Sequence, residues 1–305
     1  MTLRVAILGA GFIGRSFISR VLETGGVVHI LDHKACPPEL AGKLTWLTGD
    51  LGNEEAVRSV VGKVDVVYHL ISSTVPGDVA DESRELTQNV LQTLQLLKLC
   101  VQERVRRIVF ISSASVYGMQ TELPISEKAL TDPISSHGIH KLTIEKYLQL
   151  YKYQHGLDCK IMRLSNPYGP GQSITGRQGF IAIAIGNILA GERIRIRGDG
   201  STVRDYVYID DVTEMLHLLG TCQTSETVFN VGSGKGHSLN QVISIMESLI
   251  GRSLGVEHIG PRFVDIPASI LDVSRGKREL GKVPSTLLEE GLARTLAFHG
   301  INGVV

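Results

Sequence analysis

The stretch RVAILGAGFIG, residues 4–14, limits what this chain can fold into more than any other. Residues 4–8 read as a strand, and Gly9, Gly11 and Gly14 match G-x-G-x-x-G where that strand would turn into a helix. Gly9 permits the tight turn, Gly11 lets the backbone approach a pyrophosphate, and Gly14 lets the helix pack on the strand. Phe12, Phe17, Ile18 and Val21 follow at helical spacing. A helix there offers N–H groups and a positive dipole end to an anion. The next strand, VVHIL at 27–31, runs into Asp32, where a carboxylate holding a ribose 2′-hydroxyl is expected. Such a carboxylate repels a 2′-phosphate and favours NAD, a preference that the neighbouring His33 and Lys34 weaken slightly. Strand, glycines and carboxylate in this order outweigh a reading in which the glycines only pack and Asp32 only caps a helix.

The rest of the first half repeats the alternation. LTWLT (44–48), VDVVYHLI (64–71), RIVFIS (107–112) and KIMRL (160–164) read as strands; 54–61, 83–103 and 137–154 read as helices. Continuous apolar strands between helices predict an α/β fold, a Rossmann-type doubly wound parallel sheet covered on both faces. After residue 164 the texture changes. Residues 165–179 are loop-like, 180–192 a buried helix, and 193–211 alternates on both sides of a turn at Gly198–Gly200. Two or three helices finish the chain. The expected division is a cofactor-binding region, 1–165, and a smaller C-terminal substrate-binding region, 166–305, with strand 228–232 returning to the first.

Lys+Arg and Asp+Glu both number 31, so nothing in the net charge recruits nucleic acid or an anionic membrane. No apolar run reaches the roughly 18 residues that span a bilayer. The amino terminus enters the strand pattern directly, without the parts of a leader. Four scattered cysteines without a C-x-x-C predict neither a structural metal nor a disulfide framework, and so a cytoplasmic location.

Further motifs resemble a family. GDL (49–51), DVVYHLIS (65–72), NVLQTLQLL (89–97), FISSASVYG (110–118), RLSNPYGPGQ (163–172), GDGSTVRDYVYIDDV (198–212), PRFVD (261–265) and LLEEGLARTLAF (287–298) follow in the order found in extended short-chain dehydrogenases/reductases. These are the NAD-dependent nucleotide-sugar epimerases and dehydratases typified by UDP-glucose 4-epimerase. The resemblance implies NAD held by Gly9, Gly11, Phe12, Ile13, Gly14, Asp32, His33, Asp50, Leu51, Leu70, Ile71, Ser72 and Lys141. It implies catalysis by Ser113 and the residue at 137 with Lys141. It places Ser113, Asn166, Arg204, Arg262, Asp265 and Ser269 against a nucleotide sugar, most simply UDP-linked. Two arginines suit bidentate recognition of a diphosphate. Tyr117 and Tyr168 read as core aromatics, Tyr168 equally well as a site residue.

Residue 137 departs from the pattern. The family carries Tyr-x-x-x-Lys; here the segment is SSHGIHK (135–141), with Lys141 kept and His137 in the tyrosine's place. A neutral imidazole is a competent base near neutral pH, and nearby positive charge favours that form. Its nitrogen stops roughly an ångström short of a phenol oxygen, and a misplacement of about 1 Å can cost on the order of 10²-fold. Three readings stay open: a substitute base, a relative that binds without catalysis, or a changed reaction with another base. His137 and His140 lack a third ligand nearby, so no metal is expected. Gln92 stands where the family usually has glycine, and Ile71-Ser72 where it has Ala-Ala.

The expected reaction is NAD-dependent 4-epimerisation of a UDP-hexose or UDP-N-acetylhexosamine, the small Ser269 admitting the N-acetyl group. Ala114 and Ser115 occupy the positions where dehydratases carry an acid pair, which argues against dehydration. A 4-keto-sugar reductase, and a non-catalytic binder of NAD and nucleotide sugar, are the alternatives. The family also implies a homodimer through helices 83–103 and 137–154, and polysaccharide biosynthesis as a setting.

Overall fold

The computed structural model describes residues 3–72, 81–176, 178–260 and 266–301. The strands are β1 (Arg4–Leu8), β2 (Val27–Asp32), β3 (Thr45–Thr48), β4 (Val66–His69), β5 (Arg107–Ser113), β6 (Asp158–Leu164), β7 (Asn166–Tyr168), β8 (Ile194–Arg197), β9 (Val203–Tyr208), β10 (Val228–Val231), β11 (Gly236–Ser238), β12 (Val256–Ile259) and β13 (Ala268–Ser269). Seven of them form one parallel sheet in the order β10-β6-β5-β4-β1-β2-β3. The chain works outward from β1 through β2 to β3, then crosses back to β4 on the other side of β1. That reversal leaves a crevice beyond the carboxyl ends of β1 and β4, where open α/β sheets bind ligands.

The unbroken apolar strands reflect two cores. Val5 and Ile7 of β1 enter the core beneath helices Phe12–Glu23 and Ile209–Thr221, while Ala6 and Leu8 enter the one beneath Glu54–Val61, Gln92–Gln102 and Ser136–His155. Local signals fix the helix starts. Asn53 accepts a hydrogen bond from the Ala56 N–H, and Ser135 one from that of Gly138. Gly156, in the left-handed conformation, ends the 20-residue helix Ser136–His155.

Three features differ from the sequence reading. The helix expected over 83–103 is continuous but widens into a five-residue π segment at Thr87–Leu91, between Glu82–Leu86 and Gln92–Gln102. Residues 166–168, read as loop, form β7 and pair with β9, because Asn166-Pro167-Tyr168 lies extended beside Tyr206-Val207-Tyr208. The two alternating stretches around Gly198–Gly200 are strands, but not partners: β8 pairs with β12, and β9 lies in a small sheet with β11, β13 and β7. β10 takes its place at the edge of the large sheet, beside β6.

Candidate active site

The glycine loop at the end of β1 is built to be touched by a ligand. Gly9 has φ of +99°, a conformation that L side chains rarely adopt, and its N–H bonds to the Leu31 carbonyl at 2.9 Å. A Cβ at Gly14 would stand 2.1 Å from the Gly9 carbonyl oxygen, so this glycine lets the helix close onto the loop. A Cβ at Gly11 would meet nothing within 4 Å. The space above Gly11 is therefore open, as the approach of a pyrophosphate requires. Asp32, buried at the end of β2, accepts from the Ala10 N–H at 2.6 Å and the Lys34 N–H at 2.8 Å, with His33 Nδ1 at 3.4 Å. These bonds lock the carboxylate against the glycine loop, where remaining lone pairs can take a ribose hydroxyl.

The loop opens into a cavity of about 520 Å³. Of the residues anticipated for NAD, Gly9, Gly11, Asp32, His33, Asp50, Leu51, Leu70, Ile71 and Ser72 line it. Phe12, Ile13 and Gly14 do not; they form the helix behind the loop, with Phe12 and Ile13 packed on the first core. Lys141 does not line this cavity either. Arg84, Gln88 and Gln92 also line its wall; of these the sequence had drawn attention only to Gln92, as a departure from the family's glycine. Their spacing of four was a legible signal of one helix face, but it gave no reason to aim that face at a ligand.

The second half of the site gathers around the end of β5. Ser113 is half-buried; its Oγ accepts from the Ser115 N–H at 3.1 Å and the Ser115 hydroxyl at 2.9 Å. Helix Ser136–His155 begins against this turn. A Cβ at Gly138 would sit 2.7 Å from the Ser115 carbonyl oxygen and 2.8 Å from Pro133 Cβ, so only glycine allows the approach. His137, half-buried, occupies the second helical position, and Lys141 follows one turn later. Lys141 is buried; its Nζ donates to the Ile111 carbonyl at 2.8 Å and lies 4.7 Å from the Phe110 ring centroid. The serine turn thus packs against the helix start that carries His137, with the Lys141 ammonium anchored beneath on β5. Burial lowers the Lys141 ammonium to about 8, and the Glu145 carboxylate one turn on opposes that shift. Glu145, fully buried, is itself held by Arg163 through a bond of 2.7 Å and by the Ser112 hydroxyl.

The substrate residues expected from the second half fall on the small sheet. Asn166 opens β7 and donates its Nδ2 to the Asp205 carbonyl at 2.9 Å. Arg204, on β9, donates from Nη1 to the carbonyls of Val203 and Ile266, at 2.9 and 2.7 Å. Ser269 of β13 and His237 of β11 stand opposite Arg204 in register, so the three share one face of that sheet. His237 had not been singled out. Behind Arg204, Asp205 is fully buried; burial pushes its carboxyl up, while hydrogen bonds from Ser233, Leu271 and Gly234 hold it down. Arg262 and Asp265 lie outside the described residues. Tyr117 and Tyr168 are core residues: one donates to Asn230 Oδ1 at 2.6 Å, the other packs against Tyr206 and Tyr208. Among the described residues no group of three His, Cys, Asp or Glu side chains could hold a metal, and no helix is long and apolar enough to cross a membrane.

Comparison with known proteins agrees with this geometry. Residues 5–232 match the model of the NAD dependent epimerase/dehydratase family. The chain is 33% identical over 310 residues to UDP-glucose 4-epimerase of Mycolicibacterium smegmatis, an alignment covering 97% of this chain and 98% of that one. Among solved structures, UDP-glucose 4-epimerase of Thermotoga maritima with UDP-glucose superposes with a TM-score of 0.91 at 30% identity, covering 98% of this chain and 99% of that one. The Thermus thermophilus UDP-glucose 4-epimerase complex with NAD gives 0.90 at 30% identity, with the same coverage of both chains. With its fold, its glycine cradle and its full-length likeness in agreement, the chain belongs to the NAD dependent epimerase/dehydratase family.

Proposed function

We propose that the protein is an NAD-dependent nucleotide-sugar 4-epimerase that takes a UDP-hexose or UDP-N-acetylhexosamine through transient oxidation at C4. The observation that supports this reading is the packing of the helix start that carries His137 and Lys141 against the Ser113 turn at the carboxyl end of β5, in a fold whose glycine loop is shaped for a dinucleotide. The UDP linkage is supported by full-length relatives that act on or hold UDP-glucose. Bound NAD⁺ supplies the acceptor for the C4 hydride and the donor for its return to the other face.

The protein's own part is protonic and positional. Oxidation at C4 releases the hydroxyl proton, and His137 holds it on an imidazole nitrogen. With a pKa of about 8, Lys141 stays largely charged at pH 7, and its charge favours the neutral imidazole that can accept. Ser113 receives two hydrogen bonds from Ser115, so its own proton is directed outward, toward the sugar oxygen. On the substrate side, Arg204 and Arg262 hold the diphosphate, Asn166 borders it, Asp265 takes the nucleoside ribose, and the small Ser269 leaves room for an N-acetyl group. In this assignment residues 1–165 with strand 228–232 hold the cofactor, and 166–305 mostly hold the sugar nucleotide. Exposed Leu86, Leu91, Ile139 and Leu150 on the two long helices support a homodimer through those faces. The same reading makes the enzyme cytoplasmic.

Purified protein should interconvert UDP-glucose and UDP-galactose, or their N-acetylated forms, without net consumption of NAD(H). His137→Phe should abolish the turnover and His137→Tyr should preserve or raise it. The histidine itself favours a second reading, a protein that binds NAD and nucleotide sugar without turnover. Activity absent from the natural chain and gained only by His137→Tyr would replace the first reading with this one. Net oxidation of NADH by a 4-keto sugar would instead identify a reductase.

A further inference from the structure

The wall of the cofactor cavity holds a feature that neither the glycine loop nor the catalytic corner uses. Arg84, Gln88 and Gln92 line it from the helix that runs over β4. The neighbouring stripe of that helix, about a quarter-turn round, is polar and buried: Glu85, Asn89 and Thr93. Asn89 Nδ2 donates to the Glu85 carbonyl at 2.9 Å, and the Thr93 hydroxyl donates to the Asn89 carbonyl. Side chains thereby compete for carbonyls that backbone N–H groups would otherwise take, and here the helix opens into its π segment, Thr87–Leu91. A wider turn takes in more residues, so positions four apart drift less around the axis. Residues 84, 88 and 92 stay in line and face one cavity. π segments are frequent at functional sites for this kind of reason.

Gln92 also faces a particular partner. A Cβ built on Gly52 would lie 2.9 Å from Gln92 Nε2 and 3.0 Å from Asp50 Oδ1, so amide and carboxylate border the same small space. Asp50 is tied down by the Gly52 N–H at 2.8 Å. Among the described residues the Gln92 amide has no protein hydrogen-bond partner. Asp50 follows β3, the edge strand beyond Asp32, on the side of the sheet away from the β5 corner that holds Ser113.

We infer that Gln92, supported by Gln88, reads the adenine ring of the dinucleotide beside Asp50, a carboxylate that the family resemblance already places on the cofactor. An ionised carboxylate only accepts, and adenine offers it the exocyclic amino group. A glutamine amide carries a donor and an acceptor in one plane, the pattern that pairs with an adenine edge. Donor and acceptor set side by side discriminate adenine from hypoxanthine, in which the amino group becomes a carbonyl and the ring N1 gains a proton. The inference needs only the family's cofactor, so it stands or falls apart from the sugar reaction proposed above.

The test is a binding titration of the full chain, freed of copurified nucleotide, with NAD⁺ and with nicotinamide hypoxanthine dinucleotide. The natural protein should prefer NAD⁺. Gln92→Leu, which keeps the helix and roughly the volume, should weaken NAD⁺ about five- to tenfold, the loss of one hydrogen bond. It should weaken the hypoxanthine analogue less, so the preference shrinks. Gln88→Leu should do the same to a smaller degree. Unchanged or tighter NAD⁺ binding by a Gln92→Leu protein with native circular dichroism, or an unaltered preference between the two dinucleotides, would overturn the inference. Should Gln92→Leu fail to fold, Gln92→Glu decides: it keeps an acceptor and loses the donor, and an unaltered preference there overturns it too.

Discussion

The two halves of the site are made from different material. The cofactor cradle is mostly backbone: a positive φ at Gly9, a close approach at Gly14 and an open space over Gly11. The catalytic corner is mostly side chain, a serine turn pressed against a helix start with one buried lysine beneath. A backbone site tolerates many sequences, provided its glycines stay. A side-chain site can change its chemistry through one residue while every neighbour keeps its place. That is how Lys141 and Ser113 can keep the positions that the family pattern predicts for them around a different residue at 137.

If the halves are as separable as this contrast implies, substitutions should divide them. The largest expected effect is at Lys141. Lys141→Met should lower kcat by about 10² to 10⁴ and leave the melting temperature unchanged or higher, because a buried charge is removed. Turnover assays beside thermal melts check this. Next comes Gly138→Ala. Its methyl would push the helix from the serine turn, and a shift of about 1 Å can cost on the order of 10² in kcat. NAD affinity, measured by titration, should hardly move. Gly14→Ala is the converse: its methyl meets the Gly9 carbonyl, so NAD binding should weaken about tenfold or more, while kcat at saturating cofactor falls far less. Loss of both properties in either glycine variant would break the contrast.

The smallest effect is a pH dependence. The folded pKa of Lys141, about 8, lies below its unfolded value of about 10.4. Between those values the unfolded chain binds the extra proton, so stability should rise with pH across roughly 8 to 10. The rise should be absent in Lys141→Met, as denaturant titrations at several pH values would reveal.

Much of this was legible in the sequence for a physical reason. Val5, Ala6, Ile7 and Leu8 are all apolar because a central parallel strand has no wet face, and several such runs alternating with helices made the fold class readable. The glycines were legible because each relieves a backbone constraint at a fixed spacing. What escaped depended on pairings far apart in the chain. Nothing in RIRIR says that its partner is Val256–Ile259, and Asn166-Pro167-Tyr168 looks like loop until β9 arrives beside it. Arg84 and Gln88 escaped because their spacing marks a helix face without saying that a ligand lies against it. His237 escaped because only the β11–β9 register sets it opposite Arg204.

The return of β10 to the large sheet carries a further consequence. Its Asn230 side chain donates to the Ile125 carbonyl and accepts from Tyr117, so the strand is stitched into the amino-terminal half by more than ladder bonds. A protein cut after residue 165 would expose the whole flank of β6, an open template for pairing with other chains. Gene fusions, truncations and engineered splits of this enzyme are therefore constrained from the far end: an amino-terminal piece should precipitate on its own and be rescued only when the complementary piece is supplied in trans.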